Sequence, residues 1–507
     1  MNVHKTSIAL LAMLTGCNVG PNYKVPVVTV EQPFDTATTI AALATTAPTT
    51  QRSRISSIAQ PVAQWWTTLR DPQLDQLVDR ALSGNLDLQI AASRIRESRS
   101  DLRLAGASLL PSVSATGNYA RIDTGKNMAL QSGSSSSKNN NGNGNGNGNS
   151  NGTNLSGIDT DLFAAGLDAT WELDVFGGNR RAIEAAAADY SASVEDQRDR
   201  MVSLTAEIAR DYLVLRGLQR RLQISRDNLK LQQETLDLTQ SLRHAGFNSD
   251  LDVSRANTQV SQTRAEAIPL QTQIVQVEHA IAVLIGIEPN ELTKQLSPAA
   301  PLPTVPPMVE IGVPSDLLRR RPDIRRAERQ LAAANARIGV AIAEYYPRFS
   351  ITGDFGFDSS KFTGLFNWES RYLLVNPSVS WKLFDFGRTK ARVEAQQEAH
   401  HRADLTYRQT VLTALRETGD ALVAFTNEQA HRAELASAVS SARDSVNISR
   451  DQYRQGLIDF LQVLDAQRQL LLTQDELAQS DEAIATNLVA LYKALGGGWR
   501  AANVSQR

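Results

Sequence analysis

Hydrophobic and polar residues alternate over residues 163–175, and the pattern then changes to a helical period. Every second position from Phe163 is apolar, and the positions between them are small or polar. This alternation predicts a two-faced β-strand of about thirteen residues, long enough to cross a bilayer at a tilt. After Gly177, apolar residues recur at spacings of three, four or seven, which predicts one helix of about 67 residues ending near Gly246. Such a helix is roughly 100 Å long, longer than a compact globular domain needs.

The same pattern returns later in the chain with a constant offset of 210 residues. The motif W-x-L-x-x-F-G of residues 171–177 recurs at 381–387, so Gly177 falls on Gly387, and Gly246 falls on Gly456. An ungapped match of this length indicates two copies of one structural unit. The helix and strand before each copy recur at an offset of 236, which places 26 additional residues in the first hairpin.

Helix lengths and strand number together predict an oligomeric membrane duct. Each half offers helices of about 24, 67 and 38 residues, so the two shorter helices can run end to end beside the long one. Four strands per chain cannot close a barrel, and lipid does not tolerate an open sheet edge. Two chains would give about eight strands and a filled interior, whereas three would give about twelve and a lumen.

The N-terminus carries an export signal. A short apolar run over residues 8–14 follows Lys5 and leads to Leu14-Thr15-Gly16-Cys17, which holds the only cysteine. It resembles a bacterial lipobox, and this implies that Cys17 is acylated and that Asn18 favours sorting to the outer membrane. An ordinary signal peptide with an incidental cysteine is the alternative. No later run approaches twenty apolar residues, so no transmembrane helix is expected.

Composition restricts the possible chemistry. A net charge of −2 argues against nucleic-acid binding. The six histidines are scattered, and the adjacent His400 and His401 would point apart on a helix, so no metal site is expected. The sequence shows no phosphate-binding loop, nucleophile elbow or catalytic carboxylate pair. It therefore predicts a protein that is not an enzyme and has no cofactor besides the lipid on Cys17.

The predicted organisation combines these segments. It comprises a signal peptide (1–16), a lipid-anchored tether (17–60), the first repeat (61–286), a Pro-rich linker (287–314), the second repeat (315–496) and a C-terminal tail (497–507). The first repeat includes a loop at 124–160, whose residues 131–157 are almost wholly Ser, Asn and Gly and are expected to be disordered. The matching loop in the second repeat is rich in aromatic residues, which suits either an interfacial belt or local packing.

Several separate motifs resemble the outer membrane factor lipoproteins, which are TolC-like, and more closely OprM/NodT-like, ducts. These motifs are Trp65-Trp66, Asp71-Pro72, L-L-R-R-R-P-D at 317–323, Y-P-R-F at 346–349 and the stretch 453–467. The resemblance implies a mainly α fold with membrane β-strands, in which a homotrimer shares a twelve-stranded barrel above a long antiparallel helical tunnel in the periplasm. It also implies contact with outer-membrane lipid, a periplasmic adaptor (membrane fusion) protein and an inner-membrane RND-type transporter.

The resemblance also implies a periplasmic gate at two helix turns, residues 243–253 and 453–465. In relatives an aspartate at the position of Asp465 faces the pore axis, where three carboxylates would repel and could bind a cation. Asp252 and Tyr453 match a hydrogen-bonded pair between neighbouring coiled coils. Gly246 and Gly456 would form the turns, and Gly177 and Gly387 the junctions between barrel and tunnel.

Two features of the turns leave other readings open. The spacings Ser249 to Asp252 and Asp459 to Gln462 also suit helix N-terminal capping. Some relatives carry an arginine where Ile458 stands and a second aspartate at Gln462, so this gate has fewer polar links.

One basic cluster lies outside the gate. The arginines at 319–321, 325 and 326 are expected to form a solvated helix face, with an acidic partner as the alternative.

The sequence thus predicts a passive, gated exit duct of a tripartite efflux system in the bacterial outer membrane. It would conduct small molecules such as antibiotics from the adaptor and transporter to the exterior. Three alternatives remain: a structural coiled-coil envelope lipoprotein, the outer-membrane channel of a type I-like secretion system, and a surface barrel that displays its Asn-Gly loop as an adhesin.

Overall fold

The structure is a computed structural model that describes residues 18–26, 54–56, 62–123, 159–306, 308–310 and 320–499. The predicted signal peptide, Cys17, the loop region 124–158, residues 311–319 and the tail from Arg500 lie outside the described residues.

The described elements alternate long helices with a few strands. In chain order they are β1 (Arg54–Ser56), a 3₁₀ helix (Val62–Leu69), α1 (Pro72–Gly84), α2 (Leu86–Ala107), β2 (Ser112–Asp123), β3 (Asp159–Leu173), α3 (Gly178–His244), α4 (Asp250–Ile285), α5 (Pro289–Leu296), β4 (Met308–Glu310), α6 (Pro322–Ala343), β5 (Arg348–Ser359), two short 3₁₀ turns, β6 (Arg371–Ser380), α7 (Arg388–Arg454) and α8 (Phe460–Ala494).

The long helices match the lengths that the periodicity predicts. α3 and α7 have 67 residues each, α2 and α6 have 22 each, and α4 and α8 have 36 and 35. α4 continues through Pro269. Two parts of the expected tether and linker are also structured: residues 18–22 contact Arg181, and residues 289–296 form α5, whose Leu292 and Leu296 are buried.

One helix differs from the expectation that no segment could span a membrane. Among the described residues, α4 is long and apolar enough to cross a membrane, judged by length and composition alone. Within this chain, 22% of its most apolar window is buried. Its buried positions include Gln259, Thr263 and Glu278. These are positions at which α4 packs on other helices of the same chain.

Four strands form an antiparallel sheet in the order β2-β3-β5-β6. The register aligns the apolar positions of neighbouring strands: Leu167 lies opposite Ala115 and Phe355, and Phe355 lies opposite Leu373. Directly opposed residues point to the same face of a sheet. One face is therefore apolar across all four strands, as the alternation predicts.

The opposite face of this sheet is polar. Thr170 lies opposite Ser112 and Thr352, and Asp168 lies opposite Ser114 and Asp354. Among the described strands, β2 pairs only with β3, and β6 pairs only with β5. The outer edges of β2 and β6 therefore carry backbone N–H and C=O groups that have no hydrogen-bond partner in another described strand.

Contacts divide the chain into two compact units. The described residues among 1–22, 102–184 and 336–397 form the first unit, which includes the four-stranded sheet. The described residues among 23–101, 185–335 and 398–507 form the second unit, and its main core is built on buried side chains of α1, α3, α4, α5, α7 and α8. Trp65 is buried in this core and stacks on Tyr492 at a ring-centroid distance of 5.2 Å.

The Asp71-Pro72 motif has a structural role in the second unit. The Asp71 carboxylate accepts hydrogen bonds from the backbone N–H groups of Gln73 and Leu74 and so caps α1, while Pro72 takes the first helical position. The Tyr212 hydroxyl donates to the same carboxylate at 2.7 Å, and burial raises the pKa of Tyr212 to about 12. The motif therefore ties the start of α1 to α3.

The arginine cluster near α6 does not form the solvated face that was expected. Arg321 is 8% exposed; it pairs with Asp323 at 2.7 Å and Glu417 at 2.8 Å and donates to the carbonyl of Ala494. Two further members of the cluster also pair with acidic residues of the same chain, Arg325 with Glu195 and Arg326 with Asp196 and Asp199. The acidic partner is therefore internal, which spacing in the sequence could not show.

Candidate functional site at the helix turns

The two predicted turns, between α3 and α4 and between α7 and α8, have the same backbone geometry. Gly246 and Gly456 have φ angles of +81° and +73°. In each turn the glycine N–H bonds the carbonyl three residues earlier and the next N–H bonds the carbonyl five residues before it. This is a Schellman motif, which requires a left-handed residue at the glycine position. Gly246 and Gly456 therefore occupy the left-handed positions at which α3 and α7 end.

The first turn is closed by a capping box. The Ser249 hydroxyl accepts from the N–H of Asp252, and the Asp252 carboxylate accepts from the N–H and the hydroxyl of Ser249. Arg243 adds an exposed ion pair to Asp250 at 2.7 Å. Asp252 therefore caps α4 within its own chain, the alternative that its spacing suggested.

The second turn lacks this side-chain cap. Asp459 occupies the N-cap position of α8, but its side chain makes no capping hydrogen bond. Gln462 and Asp465 lie one and two turns further along α8, and both are exposed. Neither Asp459 nor Asp465 has a side-chain hydrogen bond or ion pair within the described parts of the chain. These carboxylates are consequently free to meet groups outside this chain.

Tyr453 is a buried, hydrogen-bonded polar group at the turns. It is 4% exposed, its hydroxyl donates to the Thr239 hydroxyl at 3.3 Å, and the Asn248 side-chain amide donates to it. Within the described chain Tyr453 thus links α7 to α3 and to the first turn. The structure does not bring it into a hydrogen bond with Asp252 inside one chain; the pair that the resemblance implies is one between neighbouring coiled coils.

An apolar cluster supports both turns. Its buried members are Leu236, Ala256, Val260, Tyr453, Phe460, Val463 and Leu464. Ile458 is partly buried against this cluster. Ile458 therefore contributes apolar packing at a position where the arginine of some relatives would contribute hydrogen bonds.

Buried polar residues also lie along α3, N-terminal to the first turn, and the sequence alone did not indicate that they are buried. We call Asn228, Gln232, Thr235 and Thr239 the polar seam; all four are at most 4% exposed. Gln467 of α8 donates to Thr235 at 2.8 Å, and Asn228 donates to Gln474 of α8 at 2.8 Å. The side-chain amide of Gln232 has no hydrogen-bond partner among the described residues. Their spacing of three to four residues was visible in the sequence, but their burial was not.

The glycines predicted at the strand-to-helix junctions also adopt left-handed conformations. Gly177 has φ +79° and Gly387 has φ +84°. Sequence reasoning missed the aspartates beside them: the Asp174 carboxylate accepts from the N–H groups of Asn179 and Arg180, and that of Asp385 accepts from those of Gly387 and Thr389. Each long helix therefore starts at a glycine turn with an aspartate that satisfies its first N–H groups.

Comparisons with known proteins identify relatives over almost the whole chain. The family described as "Outer membrane efflux protein" matches residues 77–287 and 313–497. The solvent efflux pump outer membrane protein SrpC of Pseudomonas putida is 32% identical over 494 residues, covering 96% of this chain and 97% of that protein. Nodulation protein T of Rhizobium leguminosarum bv. viciae is 30% identical over 510 residues, covering 100% and 96%. The solved structure of the outer-membrane channel OprN superposes with a TM-score of 0.83 at 34% identity, covering 95% of this chain and 100% of that one.

Proposed function

Because the chain belongs to the outer membrane efflux protein family, we propose that it is the outer-membrane exit duct of a tripartite efflux system. It lies in the outer membrane and passes small molecules to the exterior without acting as an enzyme. The observation that carries the proposal is the four-stranded sheet, with one apolar face, one polar face and two edges that no described strand pairs.

The sheet supports a trimer in which chains share a barrel. A spanning sheet must satisfy its edges in lipid, and four strands are too few to close. Three chains joined edge to edge would give about twelve strands, with the apolar face toward lipid and the polar face lining water. The matching lengths of α3 and α7 support two internal repeats, whose helices would form the periplasmic tunnel.

The turns supply a surface on which an adaptor could dock. Phe247, Leu251, Leu457 and Leu461 are 46–80% exposed, and the latter two repeat the former two at the offset of 210. Exposed apolar side chains at equivalent positions of the two turns suit a helical partner. We assign this surface to a periplasmic adaptor protein that connects the duct to an inner-membrane RND-type transporter.

The gate is proposed at the same turns. Asp465, with Gln462 and Asp459 nearby, would form the constriction around the axis, while Tyr453 and Asp252 hold the helices that carry it. The polar seam supports this assignment, because an interface of separate hydrogen bonds, each worth about 1 kcal/mol, can exchange partners when a docked protein displaces a helix.

The remaining parts complete the proposed protein. Residues 1–16 would be removed as a signal peptide, Cys17 would carry lipid, and the repeats would occupy 61–286 and 315–496, with 17–60, 287–314 and 497–507 connecting or flanking them. The names of relatives refer to solvent, toluene and antibiotic efflux pumps. Apolar and amphiphilic small molecules of that kind are the proposed cargo, with selection mainly in the transporter.

Single-channel recording in planar bilayers tests this function. Purified mature protein should produce discrete conductance steps, and deletion of residues 131–157 should leave both conductance and export intact. A structural coiled-coil lipoprotein would pass no current, and an adhesin would lose its function on the deletion. A protein that is monomeric in mild detergent would contradict the shared barrel.

A further inference from the structure

The first described residues of the chain are bound in a groove of the sheet-containing unit. Arg181 at the start of α3 donates from Nε to the carbonyl of Val19 at 3.0 Å and from Nη2 to the carbonyl of Gly20 at 3.2 Å and to Oδ1 of Asn22 at 2.8 Å. Its Nη1 pairs with Glu184 at 2.7 Å, and its side chain is 2% exposed. A buried arginine therefore directs most of its donors to residues 18–22.

Backbone contacts on both sides of Arg181 fit the groove to this segment. The N–H of Val19 donates to the carbonyl of Phe176 at 3.2 Å. Gly20 has φ +90°, and a Cβ added there would lie 2.5 Å from the Cα of Gly339 on α6. A Cβ on Gly339 would in turn lie 2.8 Å from Cγ of Arg181. Two glycines and one arginine thus set the width of the groove.

The second strand-to-helix junction provides an internal comparison. A Cβ on Gly177 would lie 2.3 Å from Oδ1 of Asn18, whereas one on Gly387 would meet no atom within 4 Å. The position of Arg181 is occupied by Ala391 at the offset of 210. The two junctions share a left-handed glycine and a capping aspartate, but within the described part of the chain only the first carries the groove and a bound segment.

We infer that Gly177, Arg181 and Gly339 form a binding site for the chain's own residues 18–22, and that this site fixes where the acylated N-terminus enters the membrane. The inference rests on the proposed lipid at Cys17. Asn18 lies beside Gly177, just after the end of β3, and Cys17 is one peptide unit, about 3.8 Å between Cα atoms, from Asn18. The lipid is then held at the end of β3, and the rest of the tether follows the site in the chain instead of separating it from the lipid.

Hydrogen exchange of residues 18–23 in the full-length, lipid-bearing protein tests the site. Arg181→Gln removes the donors to the segment, and Gly339→Ala keeps a good helix former while displacing Arg181. Each should raise the exchange rate of this peptide about tenfold, because the segment loses bonds that keep it closed. Arg180→Gln, which removes the neighbouring pair with Asp174, should leave the rate unchanged.

The paired glycines supply a matched control. Gly177→Ala and Gly387→Ala both place a side chain at a left-handed position, but only Gly177→Ala displaces Asn18. Exchange of residues 18–23 should rise in Gly177→Ala alone. Unchanged exchange in Arg181→Gln, or an equal rise in Arg180→Gln or Gly387→Ala, would overturn the inference.

Removal of the lipid separates the site from the anchor. In Cys17→Ser the segment should keep its protection to within about threefold, since the groove contacts are all made by protein atoms. Loss of protection in Cys17→Ser with Arg181 intact would show that lipid alone orders the segment, and would refute the site. Conductance of the wild-type protein is a separate readout. Protection of residues 18–23 without conductance would refute the duct and leave this binding site supported. Conductance without protection would refute the binding site and leave the duct supported.

Discussion

At the scale of single residues, Glu482 shows how tight helix packing changes an acid. Glu482 on α8 lies against Gly217 of α3, where an added Cβ would be 2.0 Å from its Oε2. Burial raises the pKa of Glu482 to about 7, Arg221 opposes the rise, and Asp475 adds to it. The neutral acid is therefore the form that the fold prefers.

This preference makes stability depend on pH. A carboxyl whose folded pKa is raised contributes stability that is fully present below its unfolded pKa, about 4.5, and that is lost as pH rises through about 7. Glu482→Gln, which mimics the neutral form, should match the wild type at pH 4.5 and melt at a higher temperature at pH 8. Thermal unfolding across this range measures the difference, with the exposed Glu476→Gln as control. Parallel curves for wild type and Glu482→Gln would contradict the assignment.

A second prediction at this scale concerns the turns. Tyr453→Phe removes the hydroxyl that joins Thr239 and Asn248, and Asp465→Ala removes a carboxylate from the proposed constriction. Each lost hydrogen bond is worth about 1 kcal/mol. The double variant should raise single-channel conductance and antibiotic sensitivity, measured in bilayers and by growth inhibition. Asp444→Ala, an exposed change on α7 away from the turn, should alter neither, and unchanged conductance in the double variant would place the gate elsewhere.

At the scale of elements, one arginine joins three helices. Arg321 precedes α6, pairs with Glu417 of α7 and donates to the carbonyl of Ala494 at the end of α8. Removing the Arg321 side chain takes this donor from the Asp323 carboxylate, which is 18% exposed, and from the Ala494 carbonyl, and this is costlier than losing an exposed pair.

Arg321→Gln should therefore reduce the free energy of unfolding by roughly 3 kcal/mol. The control Arg408→Gln breaks an ion pair with Asp404 in which the Arg408 side chain is 65% exposed. It should reduce the free energy of unfolding by less than about 0.5 kcal/mol. Denaturant titration of both variants measures the contrast. Equal losses would mean that the Arg321 network is no stronger than a surface ion pair.

Elements were far more predictable than their contacts. The 67-residue helices follow from a local period bounded by Gly177 and Gly246, and the faces of β3 follow from alternation. The fate of Arg321 could not be predicted, because its partner Glu417 lies 96 residues away. Tyr453 likewise meets Asn248 across 205 residues. Local patterns predict which residues lie on the same face of a helix or strand. The residues that pack against that face come from distant segments of the chain, and local patterns do not predict them.

At the scale of the whole molecule, the polar face of the sheet determines the charge that a pore would present. The positions on this face include four acids, Asp168, Glu172, Asp354 and Asp358, and one base, Arg348, which gives a net charge of −3 per described sheet. A water-filled barrel lined by such a surface concentrates cations.

The duct should therefore prefer cations over chloride. Asp168→Asn with Asp354→Asn, which lie opposite each other, should shift the reversal potential in a salt gradient toward zero. Asp123→Asn at the end of β2, on the other face, is the matched control and should leave the potential unchanged. Anion preference in the wild type would mean that the polar face does not line the pore.

The unlike edges β2 and β6 also have a genetic consequence. A ring built from this chain joins the β2 edge of one copy to the β6 edge of the next, so every copy must supply both. One copy whose β6 cannot pair therefore prevents closure of the whole ring, including the normal copies in it. In the proposed trimer, co-expression of such a copy in equal amounts with a normal allele would leave only about one in eight rings intact, and the damaged allele would behave as dominant.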